Sequence, residues 1–169
     1  GGAHNFQFMI DHKLGGGAWK LREEVLSGQL EVYMKEKFGL DLDYMSIFNG
    51  FGSYRIFLNH GKIKELGLDL AKVKAVVIDF ASQLPHVQFV LDFEKANTWS
   101  VPDIIRSRAL LGYHPHRSGD ILLVLEPNWY EFGPSSSPVG TTHGSWNPYD
   151  AHIPLLFYGW KVEHGSTSR

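Results

Sequence analysis

His143 is the residue whose type and setting most directly suggest chemistry. It stands in Gly140-Thr141-Thr142-His143-Gly144-Ser145, followed by the turn Asn147-Pro148-Tyr149-Asp150 and the apolar run Leu155-Leu156-Phe157-Tyr158. A loop tied to a buried strand is held in place while its side chains stay free to act. An imidazole in that position can ligate a metal or carry a proton. Gly140 and Gly144 let the backbone bend tightly around it and let a ligand come close. The plainer reading of one histidine between glycines is a surface residue. Asp150 and His152 could orient the imidazole; Asp150 equally suits turn capping, and His152 the entry to a strand.

Other donors are grouped less favourably. His4, Asp11 and His12 lie in a lead-in ending at Gly15-Gly16-Gly17, a composition expected of a mobile segment. In Tyr113-His114-Pro115-His116-Arg117 two histidines flank a proline and cannot easily meet one ion. Arg106 and Arg108 have the fork geometry for phosphate, but arginines on a helix face are usually solvated or paired. Lys72 and Lys74 read as a solvated helix face, and Phe48 and Phe51 as core.

The elements that must position these residues are legible from periodicity and punctuation. Leu30, Tyr33, Met34 and Phe38 share a helix face over residues 29–38, stopped by Gly39. Residues 44–49 and 54–59 are two β-prone runs around Gly50-Phe51-Gly52-Ser53, the pattern of a hairpin. A helix is expected over 69–83, with Asp69 as N-cap, Leu70, Val73, Val77 and Phe80 on one face and Pro85 beyond its end. A strand is expected next, over 87–93. Pro102 opens a helix through Ile104, Ile105, Ala109 and Leu110 to Gly112. Ile121-Leu122-Leu123-Val124-Leu125 is apolar without alternation, so a strand buried on both faces. Residues 128–139 read as an exposed loop, and 153–158 as a buried return strand.

These elements predict an α+β fold, a small and largely antiparallel sheet with helices on one side. They divide into a lead-in at 1–20, an α+β unit at 21–127, and a loop with return strand at 128–169.

Composition narrows the function. A chain of 169 residues with 43% hydrophobic and 20% charged residues is an ordinary folded domain. A net charge of -2 with scattered Lys and Arg offers no footprint for nucleic acid. With no cysteine there are no disulfides or thiolate sites, so a metal would have to be held by His, Asp or Glu. The apolar runs are far too short for a membrane-spanning helix, and no cleavable signal is present.

Several blocks occur together in order: Ile56-Phe57-Leu58-Asn59 with a lysine-rich helix after it, Arg117-Ser118-Gly119-Asp120-Ile121, Thr142-His143-Gly144-Ser145, and Tyr149-Asp150-Ala151-His152-Ile153-Pro154-Leu155 ending in Phe157-Tyr158-Gly159. Together they resemble the alkaline phosphatase superfamily, in particular the zinc-dependent periplasmic alkaline phosphatases and their type I phosphodiesterase relatives, across most of the chain. The resemblance implies a C-terminal portion of an alkaline-phosphatase-like α/β fold, in a two-zinc hydrolase of phosphate esters that attacks phosphorus with Thr or Ser. Only His143 matches a zinc ligand of that family. The nucleophile block and the remaining ligand blocks are not in this sequence, and Gly1-Gly2-Ala3-His4-Asn5 resembles the residues just after the family's Asp-His-Gly. The expectation is therefore a part that contributes one ligand and is inactive alone, from an exported protein, able to dimerise through an uncovered strand edge. The competing reading is a non-catalytic binding or interaction domain whose aromatic loop, Trp129-Tyr130 with Trp146, contacts a sugar or a peptide.

Overall fold

The computed structural model describes residues 17–19, 23–39, 47–131, 144–151 and 155–166. Its centre is a four-stranded antiparallel sheet of β2 (Phe48–Gly52), β3 (Arg55–Leu58), β4 (Val87–Asp92) and β5 (Ile121–Leu125), in the order β2-β3-β5-β4. A separate parallel pair joins β1 (Gly17–Trp19) to β6 (Trp129–Glu131). The helices are α1 (Glu23–Phe38), α2 (His60–Glu65), α3 (Leu70–Ser82), α4 (Asp103–Leu111) and the single turn α5 (Pro148–Ala151), with a 3-10 segment over Phe93–Thr98.

The hairpin turns on two residues, Ser53 and Tyr54, not on the glycines before them. Gly52 pairs with Arg55, and Ser53 and Tyr54 both have positive φ, 49° and 63°. Two left-handed residues match the twist of the flanking strands, whereas Gly50 to Gly52 continue β2. β3 then alternates: Ile56 and Leu58 are buried against the helices, and Arg55 and Phe57 face the other way.

β5 is the hinge of the packing. Ile121, Leu123 and Leu125 enter the larger core with Leu30 and Met34 of α1, Ile63 of α2, and Val73, Val77 and Ala81 of α3. Val73 and Val77 are wholly buried, each contributing about 1.5–3 kcal/mol of transfer free energy. Leu122 and Val124 project from the opposite face into a smaller cluster with Leu91, Phe93, Trp99 and Ile105. The expected α+β layering is thus present, with the longer helices on one side, and β5 is buried on both faces as its unbroken apolar run predicts. The second face carries α4 and the 3-10 segment.

Local signals decide the helix ends. Asp69 accepts from Lys72 N at 3.0 Å, the N-cap read from sequence, and Asn59 does the same for α2 from Lys62 N at 3.0 Å. Gly39 comes directly after α1 with φ 67°, which suits glycine after a C-terminus.

Two expectations about the elements fail. Residues 129–131 form β6 instead of lying in an exposed loop: the backbone of Trp129–Glu131 pairs with Gly17–Trp19, a partner more than a hundred residues distant in sequence. Residues 155–158 form no strand. Leu155, Leu156, Phe157 and Tyr158 are 77%, 87%, 74% and 103% exposed and pair with no described strand, and a lone extended segment has no ladder to complete its hydrogen bonds.

Candidate functional site

His143 lies outside the described residues, as do His4, Asp11, His12, Thr142 and His152. The turn directly after His143 is described, and its architecture is local. Asn147, 3% exposed, accepts through its carbonyl from Asp150 N at 3.0 Å and Ala151 N at 2.9 Å, closing α5. Asp150 Oδ2 accepts from Ser145 N at 2.5 Å, so turn capping is a role the carboxylate fills. Its other oxygen, Oδ1, is buried without a partner among the described residues.

Two bonds pin this turn to the second sheet face. Trp146 Nε1 donates to Leu125 O at 3.3 Å, and Arg108 of α4 donates to the Trp146 carbonyl. Arg106 likewise donates to the Trp99 carbonyl. Both arginines of α4 are therefore committed, in part, to backbone carbonyls, and neither is paired with a carboxylate among the described residues.

Between the turn, α4 and the β3–β5 face lies a cavity of about 230 Å³. Leu122 and Val124 form its floor, Trp129 and Trp146 are aromatic walls, and Arg55 and Arg108 bring charge. No carboxylate is among the described residues that line it. Arg55 Nε is buried without a hydrogen-bond partner. Outside the cavity Trp129 is covered by His86, whose ring stacks on it at 3.5 Å between centroids and 10° between planes.

A second concentration of charge ties the sheet to α3. Lys74, expected on a solvated face, is 2% exposed. Its Nζ meets Glu94 Oε2 at 2.8 Å, Asp92 Oδ1 at 3.4 Å and Asp120 Oδ1 at 3.6 Å. Burial works against its charge, but the hydrogen bond to Glu94 and the charges of Asp92, Glu94 and Asp120 prevail, so its pKa stands above the usual lysine value. A signal was available: Lys74 falls at the i+4 position after Leu70 and three before Val77, inside the apolar stripe of α3. Only the convergence of acids from two strand ends explains why a lysine is tolerated there.

Asp120 is the hub of that cluster. Its Oδ2 accepts from Leu58 N at 2.8 Å, and its Oδ1 contacts His60 Nε2 at 2.6 Å. Asp120 N donates to Ile56 O at 2.9 Å. Gly119 makes the approach feasible: its φ is +70°, and a Cβ there would stand 2.8 Å from Ile56 O. Ser118, 4% exposed, accepts through Oγ from His114 N at 2.8 Å. The Arg117-Ser118-Gly119-Asp120 block therefore closes one loop and clamps β3 to β5. His114 and His116 do not converge as a pair of ligands: the ring centroids are 6.0 Å apart, and His114 Nδ1 accepts from His116 N at 3.2 Å. Among the described residues no group of three or more His, Asp or Glu is placed to hold a metal. Phe48 is 2% exposed in the larger core with Phe51 packed against that core, as expected.

The chain aligns along its whole length with characterised proteins. It is 32% identical over 169 residues to alkaline phosphatase PafA of Elizabethkingia meningoseptica and 31% identical over 168 residues to alkaline phosphatase PhoV of Synechococcus elongatus. The crystal structure of wild-type PafA superposes on 98% of the chain with a TM-score of 0.81. The chain is alkaline-phosphatase-like over its whole length. It spans 29% of PafA and 28% of PhoV, so less than a third of each phosphatase is represented. A protein named calcium-transporting ATPase, from Myroides odoratus, is 38% identical over 169 residues, and the chain covers 29% of it. No protein-family model matches. In this alkaline-phosphatase-like fold the blocks that carried the resemblance have visible structural work: Asn59 caps a helix, Asp120 joins β3, α2 and α3, and Asp150 caps the turn after His143. Among the described residues no helix is long and apolar enough to cross a membrane.

Proposed function

We propose that this chain is part of a zinc-dependent hydrolase of phosphate esters, an alkaline phosphatase or phosphodiesterase, to which it contributes the ligand His143. The supporting observation is the superposition on PafA at a TM-score of 0.81 with 32% identity, sustained over 98% of the chain. In this reading the sheet and its helices are a scaffold, and the pinned turn 144–151 steadies the loop that bears the histidine. Bound zinc would supply Lewis-acid activation of an oxygen, and a two-zinc site would hold two such oxygens. The described residues do not make a zinc site by themselves, so no catalytic step is assigned to them.

The longer protein acts on phosphate esters and is exported; this chain alone does not turn them over. A catalytic zinc generally needs three protein ligands, and His143 is one. The test is an aryl phosphate assay in excess zinc on the 169-residue chain and on the longer protein, each with and without His143→Ala. We expect activity only in the longer protein and its loss with His143→Ala. Turnover by the 169-residue chain that His143→Ala abolishes would end the claim of a divided site. Full activity of the longer protein after His143→Ala would end the ligand assignment.

A further inference from the structure

We propose that the cavity between the β3–β5 face, α4 and the 144–151 turn is a binding site for a small aromatic anion, one ring bearing a carboxylate or phosphonate-like head. Three observations converge. The first is a cation at the wall: Arg55 borders the cavity, and its Nε, closed off from solvent, has no acceptor of its own. An anionic head that meets the rest of the guanidinium would offset its charge.

The second is the charge of the lining. Arg55 and Arg108 both border the cavity, and no described lining residue is an Asp or Glu. Arg108 spends an N–H on the Trp146 carbonyl, and a guanidinium carries five. Two cations bordering one space, with no described carboxylate in its lining to offset them, favour a negative guest.

The third is size and surface. Leu122, Val124 and Ile105 line the space with the indoles of Trp129 and Trp146. A dry cavity of about 150 Å³ already takes benzene. About 230 Å³ therefore suits one ring with a small charged head, and falls short of the usual volume for a drug-sized ligand. Arginine beside aromatic walls is the usual combination for an aromatic anion, with the head on the fork and the ring against the indoles. Trp146 belongs to the turn just after His143 in sequence and packs on the smaller core, so a guest that touches it ties that turn to the sheet.

The test titrates the 169-residue chain with benzoate, phenylphosphonate, benzamide and inorganic phosphate, read by calorimetry and by tryptophan fluorescence. Saturable binding is expected for benzoate or phenylphosphonate, the tighter of the two identifying the preferred head. Benzamide, which keeps the ring without the charge, and phosphate, which keeps the charge without the ring, are expected to bind at least about tenfold more weakly. Arg55→Gln is expected to weaken the preferred anion by a similar factor. Benzamide binding as well as benzoate, the absence of saturable binding, or an unchanged affinity in folded Arg55→Gln would each overturn the proposal. If Arg55→Gln does not fold, Arg108→Gln and the wild-type ratio of benzoate to benzamide decide. The readout is binding without zinc or turnover, so its failure leaves the hydrolase reading standing, and the reverse holds too.

Discussion

Lys74 and Asp92 face each other where α3 crosses the end of β4, with Nζ 3.4 Å from Oδ1 and side chains 3% and 4% exposed. A pair this dry is not strong evidence of net stabilisation, because removing both charges from water costs much of what their attraction returns. Breaking it is another matter. Lys74→Met would leave Asp92 buried without its cation, and we expect a loss of about 3–5 kcal/mol in denaturant unfolding. Glu94→Gln, at a side chain 64% exposed, is expected to cost no more than about 1 kcal/mol. Equal losses from the two variants would show that the buried carboxylate is not what matters.

Stability should fall at alkaline pH for two named reasons. Burial raises the pKa of Tyr130 above the usual 10.0, and Lys74 stands above the usual 10.5 despite its burial, through Glu94, Asp92 and Asp120. Both groups therefore hold their protons more firmly in the folded chain than in the unfolded one. Their contribution is complete below the unfolded values and is lost as pH rises through the raised ones. Urea midpoints should be level up to about pH 10 and decline above it. Tyr130→Phe should make the decline shallower, and an unaltered decline would remove Tyr130 from the account.

Gly119 should not accept a side chain. A Cβ at that position would stand 2.8 Å from the Ile56 carbonyl, in a backbone with φ of +70°. We expect Gly119→Ala to cost at least about 2 kcal/mol, combining left-handed strain with displacement of β3. Gly39→Ala is the control, since φ there is +67° but nothing lies within 4 Å. It should cost about 1 kcal/mol, the conformational part alone. Indistinguishable losses would mean that the contact with Ile56 is easily relieved.

The run from Leu155 to Tyr158 should make the 169-residue chain associate with itself. These four residues are consecutive, apolar or aromatic, and at least 74% exposed, with Trp160 at 90% just beyond. Exposed apolar segments of this length seek a partner surface. Light scattering at high concentration is expected to show dimers or larger species, and Leu156→Ser with Phe157→Ser to shift them toward monomer at little cost in stability. A wild-type monomer at the highest concentration attainable would count against this.

The sequence alone determined those features that depend on neighbours a few residues apart. Asp69 as a cap, the end of α3 before Pro85, the stop of α4 at Gly112 and the buried character of β5 are each written in local residue types and spacing. The same holds for the turn after His143, since Ser145, Asn147, Asp150 and Ala151 close it among themselves. Tertiary structure decided whatever needed a distant partner. Lys74 is buried because Asp92 and Asp120 come from different strands, and residues 129–131 are a strand because the backbone of 17–19 lies beside them. Leu155 to Tyr158 have the composition of a buried strand and are exposed, since propensity favours an extended shape but only a neighbouring edge can complete its hydrogen bonds. The cavity was illegible for the same reason: Arg55, Arg108 and Trp146 become neighbours only when β3, α4 and the turn meet on one face of the sheet.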